Sequence, residues 1–359
     1  ALEDSYPILT SFADTSNPVK VTVDTYWFDG NQTSYTLNSV AEFRGFQKLA
    51  AIEDFHGIEI KLGKDIDLNL GWIAGDTAPT NMWTPIGNAT TPFAGVFDGQ
   101  GNTISGLYLN TDITTGAGLF ANTVNSAQIK NLRFVDSYIK APGVVGMIGK
   151  GSVSKIEKVY VDVIIDSTGN HAGGFIGETV GYYSDKNVGN SEGWAQGIIE
   201  ISNCWFAGEV NMTGDNNSSA GFIGYPTQRS LIIMNDCLYT GSVTATYASA
   251  RIGGFYGWIN STAPYQLNNC LALGTLSETN YSGGIAGQTG VDEGRVVVTN
   301  CYTTQQVLVK YMTKTQTFNN CSVKTESELQ NADLATLFPG STAWKSVEGS
   351  TPVLKDLAK

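Results

Sequence analysis

One pattern recurs along most of the chain and constrains its fold more than any other feature. An apolar residue stands three positions before a second small or apolar residue, and this pair occurs seven times. The second position holds Leu132, Val159, Cys204, Cys237, Cys270, Cys301 and Cys321. The first position holds Ile129, Ile156, Ile201, Met234, Leu267, Val298 and Phe318. Seven matched pairs indicate that one structural unit is repeated along the chain.

A glycine-centred motif repeats with a similar rhythm. Its aligned glycines are Gly118, Gly146, Gly174, Gly221, Gly254 and Gly284. A repeat of about 30 residues whose apolar positions do not follow the periodicity of an α-helix is typical of the coils of a parallel β-helix. One coil cannot bury its own apolar face, so coils stack and share a continuous core. Since crossovers between parallel strands are almost always right-handed, we predict an all-β fold, a right-handed parallel β-helix (solenoid).

The five cysteines occupy the repeated inward position, where Leu132 and Val159 stand in other repeats. Their spacing matches no zinc site, and each follows Asn or Asp. We therefore expect free, buried thiols, because stacked neighbours point in parallel directions. The residue before each cysteine suits a left-handed corner, and stacked asparagines there can form a ladder of amides.

Both ends of the repeat array carry helix signals. Ser39 and Glu42 fit a capping box, followed by apolar residues at helical spacing, which predicts an N-terminal capping helix. Thr325 and Glu328 repeat the signal and predict a C-terminal helical cap. The predicted organisation is an N-terminal extension (1–37), the capping helix with the β-helix array (38–324), and the C-terminal cap (325–359).

One interval between repeats is longer than the others. The excess residues lie at about 178–198 and include Tyr182, Tyr183 and Trp194. Insertions in a solenoid project from one face and often carry binding residues, so these three aromatic residues are candidate ligand contacts.

Charge and hydropathy exclude several function classes. The chain of 359 residues has 21 basic and 33 acidic side chains, a net charge of −12. It shows no basic stripe of the kind that nucleic-acid binders carry, so no nucleic-acid partner is expected. No apolar run reaches the ~18 residues of a membrane span. We expect a monomer, with the anchor or signal, if any, removed from the sequence.

The seven residues from Leu132 to Cys321 that share the repeated inward position form the inward column. The residue that follows each of them in the sequence should point outward. It is Tyr160, Trp205, Leu238, Leu271 and Tyr302 in five consecutive repeats, which predicts an exposed apolar stripe. Aromatic side chains suit sugar rings or protein hot spots, so the stripe is a candidate ligand-binding surface. The alternative is that the 178–198 insertion or the N-terminal extension covers it. Tyr225 and Trp258, after the glycine motif, have a weaker claim.

Catalytic motifs are lacking, and no metal site or cofactor is expected. The two histidines, His56 and His171, lie far apart and are interpreted as surface or turn residues. Carboxylates are the better enzyme candidates, because paired acids hydrolyse glycosides. Asp65 and Asp67 share one face of a strand, but a solvated face explains them as well. The remaining acids considered are the turn residue Asp98 and the scattered Asp136, Asp162 and Asp166.

The glycine and Asn-Cys repeats resemble the GLUG-motif repeats of bacterial surface proteins. The segments around Asp65–Leu68, Trp83–Gly87 and Phe97–Gly101 are similar to the start of such arrays. In that family the repeats occur in secreted or cell-surface proteins of gut and oral bacteria, including proteins similar to immunoglobulin A1 proteases. The resemblance implies a β-helical stalk or adhesin-like region at the bacterial surface. It does not imply peptidase activity, because His-Glu-x-x-His is missing.

These observations predict a non-catalytic, extracellular β-helix module. Its role would be adhesion, binding of a glycan or a host extracellular protein, or service as a stalk. The alternative is a carbohydrate-active β-helix enzyme, a glycoside hydrolase or polysaccharide lyase, which would show convergent carboxylates with perturbed pKa values.

Overall fold

The computed structural model describes residues 22–180, 197–214, 218–227, 230–260 and 263–358. The described chain is mostly β, with helices only at α1 (Val40–Leu49), α2 (Glu326–Gln330) and α3 (Leu334–Leu337). No helix in these ranges is both long and apolar enough to cross a membrane.

Most strands belong to three stacks of parallel strands, which run along one elongated core. The main sheet contains Ser34–Leu37, Glu59–Leu62, Ile66–Asp67, Val96–Asp98, Thr103–Ser105, Tyr108–Asn110, Gln128–Ala141, Lys155–Ser167, Gly197–Ser202, Trp205–Phe206, Glu209–Met212, Ser230–Asn235, Leu238–Tyr239, Ser242–Ala245, Tyr265–Asn268, Leu271–Ala272, Thr275–Leu276, Val296–Thr299, Tyr302–Thr303, Thr317–Asn319 and Ser322–Val323. The second sheet contains Phe120–Thr123, Ile148–Gly151, Ile176–Thr179, Ile223–Pro226, Tyr256–Ile259, Ala286–Thr289 and Val309–Met312. The third sheet contains Val144–Val145, His171–Gly173, Ser218–Ala220, Arg251–Gly253 and Tyr281–Gly283.

Register shows that successive repeats stack directly on one another. Ile201 pairs with Met234, Met234 with Leu267, and Leu267 with Val298. These are the apolar residues that stand three positions before the cysteines. The predicted repeat is therefore confirmed as a stack of parallel coils, and the fold is β-helix-like.

The inward column behaves as its sequence pattern predicts. Cys204, Cys237, Cys270 and Cys301 are free and fully buried, while Cys321 is free and half-buried at the last coil. The preceding residues adopt positive φ angles, as at Asn203, Asp236, Asn269, Asn300 and Asn320. The Asn300 amide donates to Asn269 Oδ1 at 3.0 Å, and the Asn320 amide donates to Asn300 Oδ1 at 2.9 Å. The expected free thiols and amide ladder are both present.

The glycine motif lies where the third sheet turns into the second. The apolar residue after the glycine points inward, and Phe175, Phe222 and Phe255 form one aromatic stack with centroids 4.7 and 5.0 Å apart. The backbone runs so close to the core here that a side chain does not fit. A Cβ on Gly221 would overlap the ring of Tyr239 and lie 2.7 Å from the Gly254 carbonyl oxygen.

Helix α1 packs its apolar side onto the first coils. Ser39 is its N-cap and accepts a hydrogen bond from the Glu42 N–H. Phe43 and Phe46 are fully buried, and the Phe46 ring stacks on Phe97 at 6.0 Å. The strand before the helix, Ser34–Leu37, pairs in parallel with Glu59–Leu62. The last four residues of the predicted N-terminal extension thus form part of the main sheet.

Candidate binding surfaces

The predicted stripe exists as a column. Tyr160 pairs in register with Trp205, Trp205 with Leu238, Leu238 with Leu271, and Leu271 with Tyr302. Parallel stacking places these side chains one above the other on the outside of the main sheet. The sequence pattern therefore identified the correct alignment of five coils.

The exposure expected for this stripe is wrong over most of its length. Leu238 and Leu271 are 0 % exposed and Tyr302 is 3 % exposed, while Tyr160 and Trp205 are half-buried. The three buried residues form an apolar cluster with side chains that come from far along the chain: Leu329, Leu337, Phe338, Ala343, Trp344, Leu354 and Leu357. Burial of this apolar area favours a docked segment over an open stripe.

Among the described residues, the element that covers these three is the C-terminal strap, defined here as residues 325–358. It contains α2, α3 and an antiparallel hairpin of Trp344–Val347 with Ser350–Leu354. Thr325 and Glu328 form the predicted capping box. The strap runs back along the flank of the stack. Leu337 contacts Tyr302 in a late coil, and Leu357, near the end of the strap, contacts Arg133 in an early coil.

Polar contacts fasten the strap to several coils. Tyr302 Oη donates to the Leu337 carbonyl oxygen at 3.2 Å. Asp236 Oδ1 accepts from Ser341 Oγ at 2.5 Å and from Trp344 Nε1 at 3.2 Å. Because Asp236 occupies the left-handed corner that asparagines fill in neighbouring coils, its carboxylate is fixed and aimed at the strap. The strap is therefore docked by both apolar burial and directional hydrogen bonds.

The other predicted ligand contacts, Tyr182, Tyr183 and Trp194, lie outside the described residues. Their assignment stays a prediction. The half-buried Tyr160 and Trp205 remain at the margin of the strap, where their rings meet edge-on with centroids 5.2 Å apart. Trp205 Nε1 donates to Thr240 Oγ1 at 2.7 Å, which fixes the indole against the next coil.

A second outward surface combines residues of the second and third sheets. We call it the ladder face, and it consists of His171, Tyr225, Trp258, Arg251, Tyr281 and Tyr311. The rings of His171 and Tyr225 stack at 4.3 Å, and Tyr225 and Trp258 lie 5.4 Å apart. Tyr281 and Tyr311 meet edge-on at 5.7 Å. The contacts continue over five coils, a length of about 19 Å at the ordinary spacing between strands.

Arg251 joins the two halves of the ladder face. Its guanidinium carbon lies 4.0 Å from the Trp258 ring centroid and 5.5 Å from that of Tyr281. Arg251 Nε also donates to Gln288 Oε1, and Gln288 lies between Trp258 and Tyr311 in the register of the second sheet. Cation–π contacts of this kind hold the guanidinium flat against aromatic surface. The ladder face thus presents aromatic rings, a cation and an amide together.

Exposure distinguishes the ladder face from the stripe. Tyr311 is 47 % exposed, and the other five ladder residues are half-buried. Tyr225 and Trp258 were the weaker candidates in the sequence, whereas His171 and Arg251 were missed as binding residues. In the sequence, His171 and Arg251 are marked by position alone, because each stands two residues before the glycine motif. Ser218 and Tyr281 occupy the same position in their coils, and the four residues pair in register in the third sheet.

His171 is held neutral at physiological pH. Burial, with smaller contributions from the nearby charges of Lys150 and Arg251, lowers the pKa of His171 to about 4. Its Nδ1 lies 3.0 Å from Ser218 Oγ, and Lys150 is itself paired with Glu178 at 3.0 Å. The imidazole therefore contributes a neutral polar ring to the ladder face rather than a charge.

The low pKa of His171 predicts a pH dependence of stability. Between pH 4 and its ordinary pKa of 6.5, the unfolded chain binds more protons at this residue than the folded chain does. This contribution to the unfolding free energy is complete above pH 6.5 and is lost as pH falls toward 4. We expect His171→Gln to remove about 2 kcal/mol of the stability difference between pH 7 and pH 4.5. Urea unfolding at both pH values measures this stability difference. An equal difference in the unchanged protein and in His171→Gln would contradict the low pKa assigned to His171.

The candidate catalytic carboxylates are each used in local structure. Asp65 accepts from the Thr103 N–H at 2.7 Å, and Asp67 accepts from the Gly71 N–H at 2.9 Å. Burial raises the pKa of Asp98, but hydrogen bonds from Asn131, Gln100 and Lys130 outweigh it, so this pKa lies below its usual range. A general acid needs the opposite shift.

Two of the scattered aspartates, Asp162 and Asp166, also accept structural hydrogen bonds. Asp162 accepts from Tyr160 Oη at 3.2 Å. Asp166 accepts from Tyr138 Oη at 2.6 Å and from the Asn211 amide at 3.1 Å. Burial, followed by the contact with Asp166, raises the pKa of Tyr138 well above its usual range. The Asp166 contacts join adjacent coils, whereas the Asp162 contact lies within one strand, and both are structural uses of a carboxylate.

Comparisons with known proteins support the fold. No family model matches the chain. A "Putative Gly-rich membrane protein" of Evansella cellulosilytica is 29% identical over 110 residues, which are 30% of this chain and only 12% of that relative. The crystal structure of a "putative immunoglobulin A1 protease" from Bacteroides ovatus superposes with a TM-score of 0.62 at 20% identity, covering 90% of this chain and 92% of that one. This neighbour supports the expected similarity to immunoglobulin A1 protease-like repeat proteins at the level of fold, and the GLUG assignment stays a prediction.

Proposed function

We propose that the chain is a non-catalytic β-helix module that works outside the bacterial cell and binds an extended ligand on the ladder face. The observation that carries this proposal is the unbroken series of ring and cation contacts from His171 to Tyr311. In the proposed architecture the coil is right-handed, α1 caps its first coils, and the strap closes its flank.

A glycan is the ligand class that the ladder face suits best. Aromatic side chains offer apolar area to the C–H groups of sugar rings, while Arg251 and Gln288 offer hydrogen bonds to hydroxyl groups. Trp258 Nε1 is buried and has no hydrogen-bond partner among the described residues, so it is an unsatisfied donor beneath the ladder face. Half-buried rings beside polar groups favour a polar ligand over a large apolar protein patch.

The two similar proteins support an extracellular role without specifying a ligand. One is described as a membrane protein and the other as an immunoglobulin A1 protease. Host immunoglobulin is therefore the second partner class to test. Peptidase activity is not part of the proposal, because the chain has only two histidines and no metalloprotease motif.

A glycan array probed with Trp258→Ala provides the test. We expect the unchanged protein to bind a subset of glycans and Trp258→Ala to lose at least tenfold in affinity, about 1.4 kcal/mol, because ring contacts are removed. Tyr247→Ala is the matched control, since Tyr247 is 41 % exposed and lies outside the ladder face. Equal losses in both variants would contradict the site. Capture of immunoglobulin instead of any glycan, sensitive to Trp258→Ala, would reassign the ligand class.

A further inference from the structure

The end of the strap leaves a cleft at the margin of the former stripe. The cavity has a volume of about 490 Å³, and Gln100, Asn131, Arg133, Lys158, Asp356 and Leu357 line it. We call it the strap cleft. It lies among the left-handed corners of three successive coils, at Gln100, Asn131 and Lys158, where the strap reaches its last described residues. A volume of this size accommodates a small molecule rather than a polymer.

The cleft is positively charged although the protein carries a net charge of −12. Arg133 and Lys158 contribute two cations, and Asp356 contributes one carboxylate. Lys158 Nζ lies 3.0 Å from Asp356 Oδ2, and both side chains of this pair are 43 % exposed. Such an exposed pair is weak and exchanges readily with another carboxylate. The cleft therefore favours an anionic ligand.

Arg133 is held in place but its hydrogen bonding is incomplete. Its guanidinium carbon lies 4.0 Å from the Tyr160 ring centroid, and Nη1 donates to the Leu357 carbonyl oxygen at 3.0 Å. Its Nε is buried and has no hydrogen-bond partner in the described part of the chain. A guanidinium that uses one terminal nitrogen on protein retains a second edge, made of Nε and Nη2, for side-on pairing with a carboxylate.

The corner residue at Lys158 differs from the five corner residues that follow it in the column. Later coils place Asn203, Asp236, Asn269, Asn300 and Asn320 at this left-handed position. Asparagine tolerates this backbone conformation far better than lysine does. Lysine has no side-chain amide and cannot extend the amide ladder. Its cation is better explained by the end of the strap and the cleft, which it faces.

We propose that the strap cleft binds a small sugar that carries a carboxylate, such as a uronic acid. The carboxylate pairs with the unsatisfied edge of Arg133 and with Lys158, where it competes with Asp356. The amides of Gln100 and Asn131 lie at the same cleft and hydrogen-bond the sugar hydroxyls. This site is separate from the ladder face and does not depend on the function proposed for it.

Calorimetric titration of the full chain with glucuronate, glucose and acetate tests the proposal. Glucuronate is expected to bind, with glucose at least tenfold weaker because it lacks the charge, and acetate at least tenfold weaker because it lacks the hydroxyls. Equal binding of glucuronate and glucose would overturn the anion site. Equal binding of glucuronate and acetate would overturn the sugar assignment.

Variants locate the site. Arg133→Lys keeps the charge but removes side-on pairing, so glucuronate affinity is expected to fall about tenfold. Lys155→Gln is the matched control, since Lys155 lies on the same strand as Lys158, pairs with Glu157 and does not line the cleft. Asp356→Asn removes the competing carboxylate and should tighten binding severalfold, a gain that misfolding cannot produce. Weaker binding in Asp356→Asn, or equal losses in Arg133→Lys and Lys155→Gln, would refute the proposal.

Trp258→Ala separates this site from the ladder face. We expect it to bind glucuronate as tightly as the unchanged protein does, whatever its effect on the glycan array. A parallel loss of glucuronate binding in Trp258→Ala would place the carboxylate on the ladder face and overturn the strap cleft.

Discussion

Replacing Trp344 by alanine is expected to lower the unfolding free energy by about 3–5 kcal/mol and to release the strap. Trp344 is 6 % exposed, its ring stacks on Phe338 at 4.3 Å, and its Nε1 donates to Asp236. The substitution removes apolar burial and a charge-assisted hydrogen bond together. Urea unfolding measures the loss of stability.

Release of the strap has a second expected signature. Leu238, Leu271 and Tyr302 would become an exposed apolar stripe, so a dye that binds apolar surface should show increased fluorescence before the main unfolding transition. Val347→Ala is the matched control, because Val347 lies on the same hairpin and is 39 % exposed. A loss in Trp344→Ala no greater than in Val347→Ala would show that the strap does not depend on this contact.

Replacing Gly221 by alanine is expected to destabilise the coil by about 1–3 kcal/mol despite adding only one methyl group. The new Cβ would overlap the Tyr239 ring and the Gly254 carbonyl oxygen, which belongs to the next coil. Backbone on two coils would have to move, and the parallel pairing there would be strained. Chemical unfolding of the purified variant measures the effect.

Gly290→Ala is the control for this prediction. A Cβ at Gly290 would meet the Asn260 side-chain amide at 3.0 Å, which can rotate away, and Trp258 Nε1 at an ordinary contact distance of 3.6 Å. We expect a change below about 0.5 kcal/mol there. Comparable losses at both glycines would mean that loss of glycine flexibility, rather than crowding at the Gly221 corner, sets the cost.

The sequence was most informative where structure depends on local repetition. A residue that points inward in one coil must point inward in the next, because parallel strands stack in register. Ile201, Cys204 and Trp205 could therefore be assigned to their positions from the spacing of the repeats. Helix α1 and the start of α2 were predictable for the same reason, since capping boxes are local signals.

The covering of the stripe was not predictable in this way. The sequence showed that Leu238 and Leu271 point out of the coil, but pointing out of one coil is not the same as contacting solvent. The residues that bury them, Leu337 and Trp344, are far along the chain, and their apolar character indicates burial without naming the partner. Only the docked strap shows that the outward apolar residues of the coils and the apolar residues of the strap bury one another.

The sequence by itself thus determined the stacked parallel coils, the column of free cysteines and the alignment of the outward residues. The tertiary structure alone decided that the strap folds back over the outward residues. It also decided that Arg251 lies between Trp258 and Tyr281, and that Arg133 borders a cleft. The physical reason is that register and side-chain alternation repeat along the chain, whereas docking depends on matched apolar area and hydrogen bonds between distant segments.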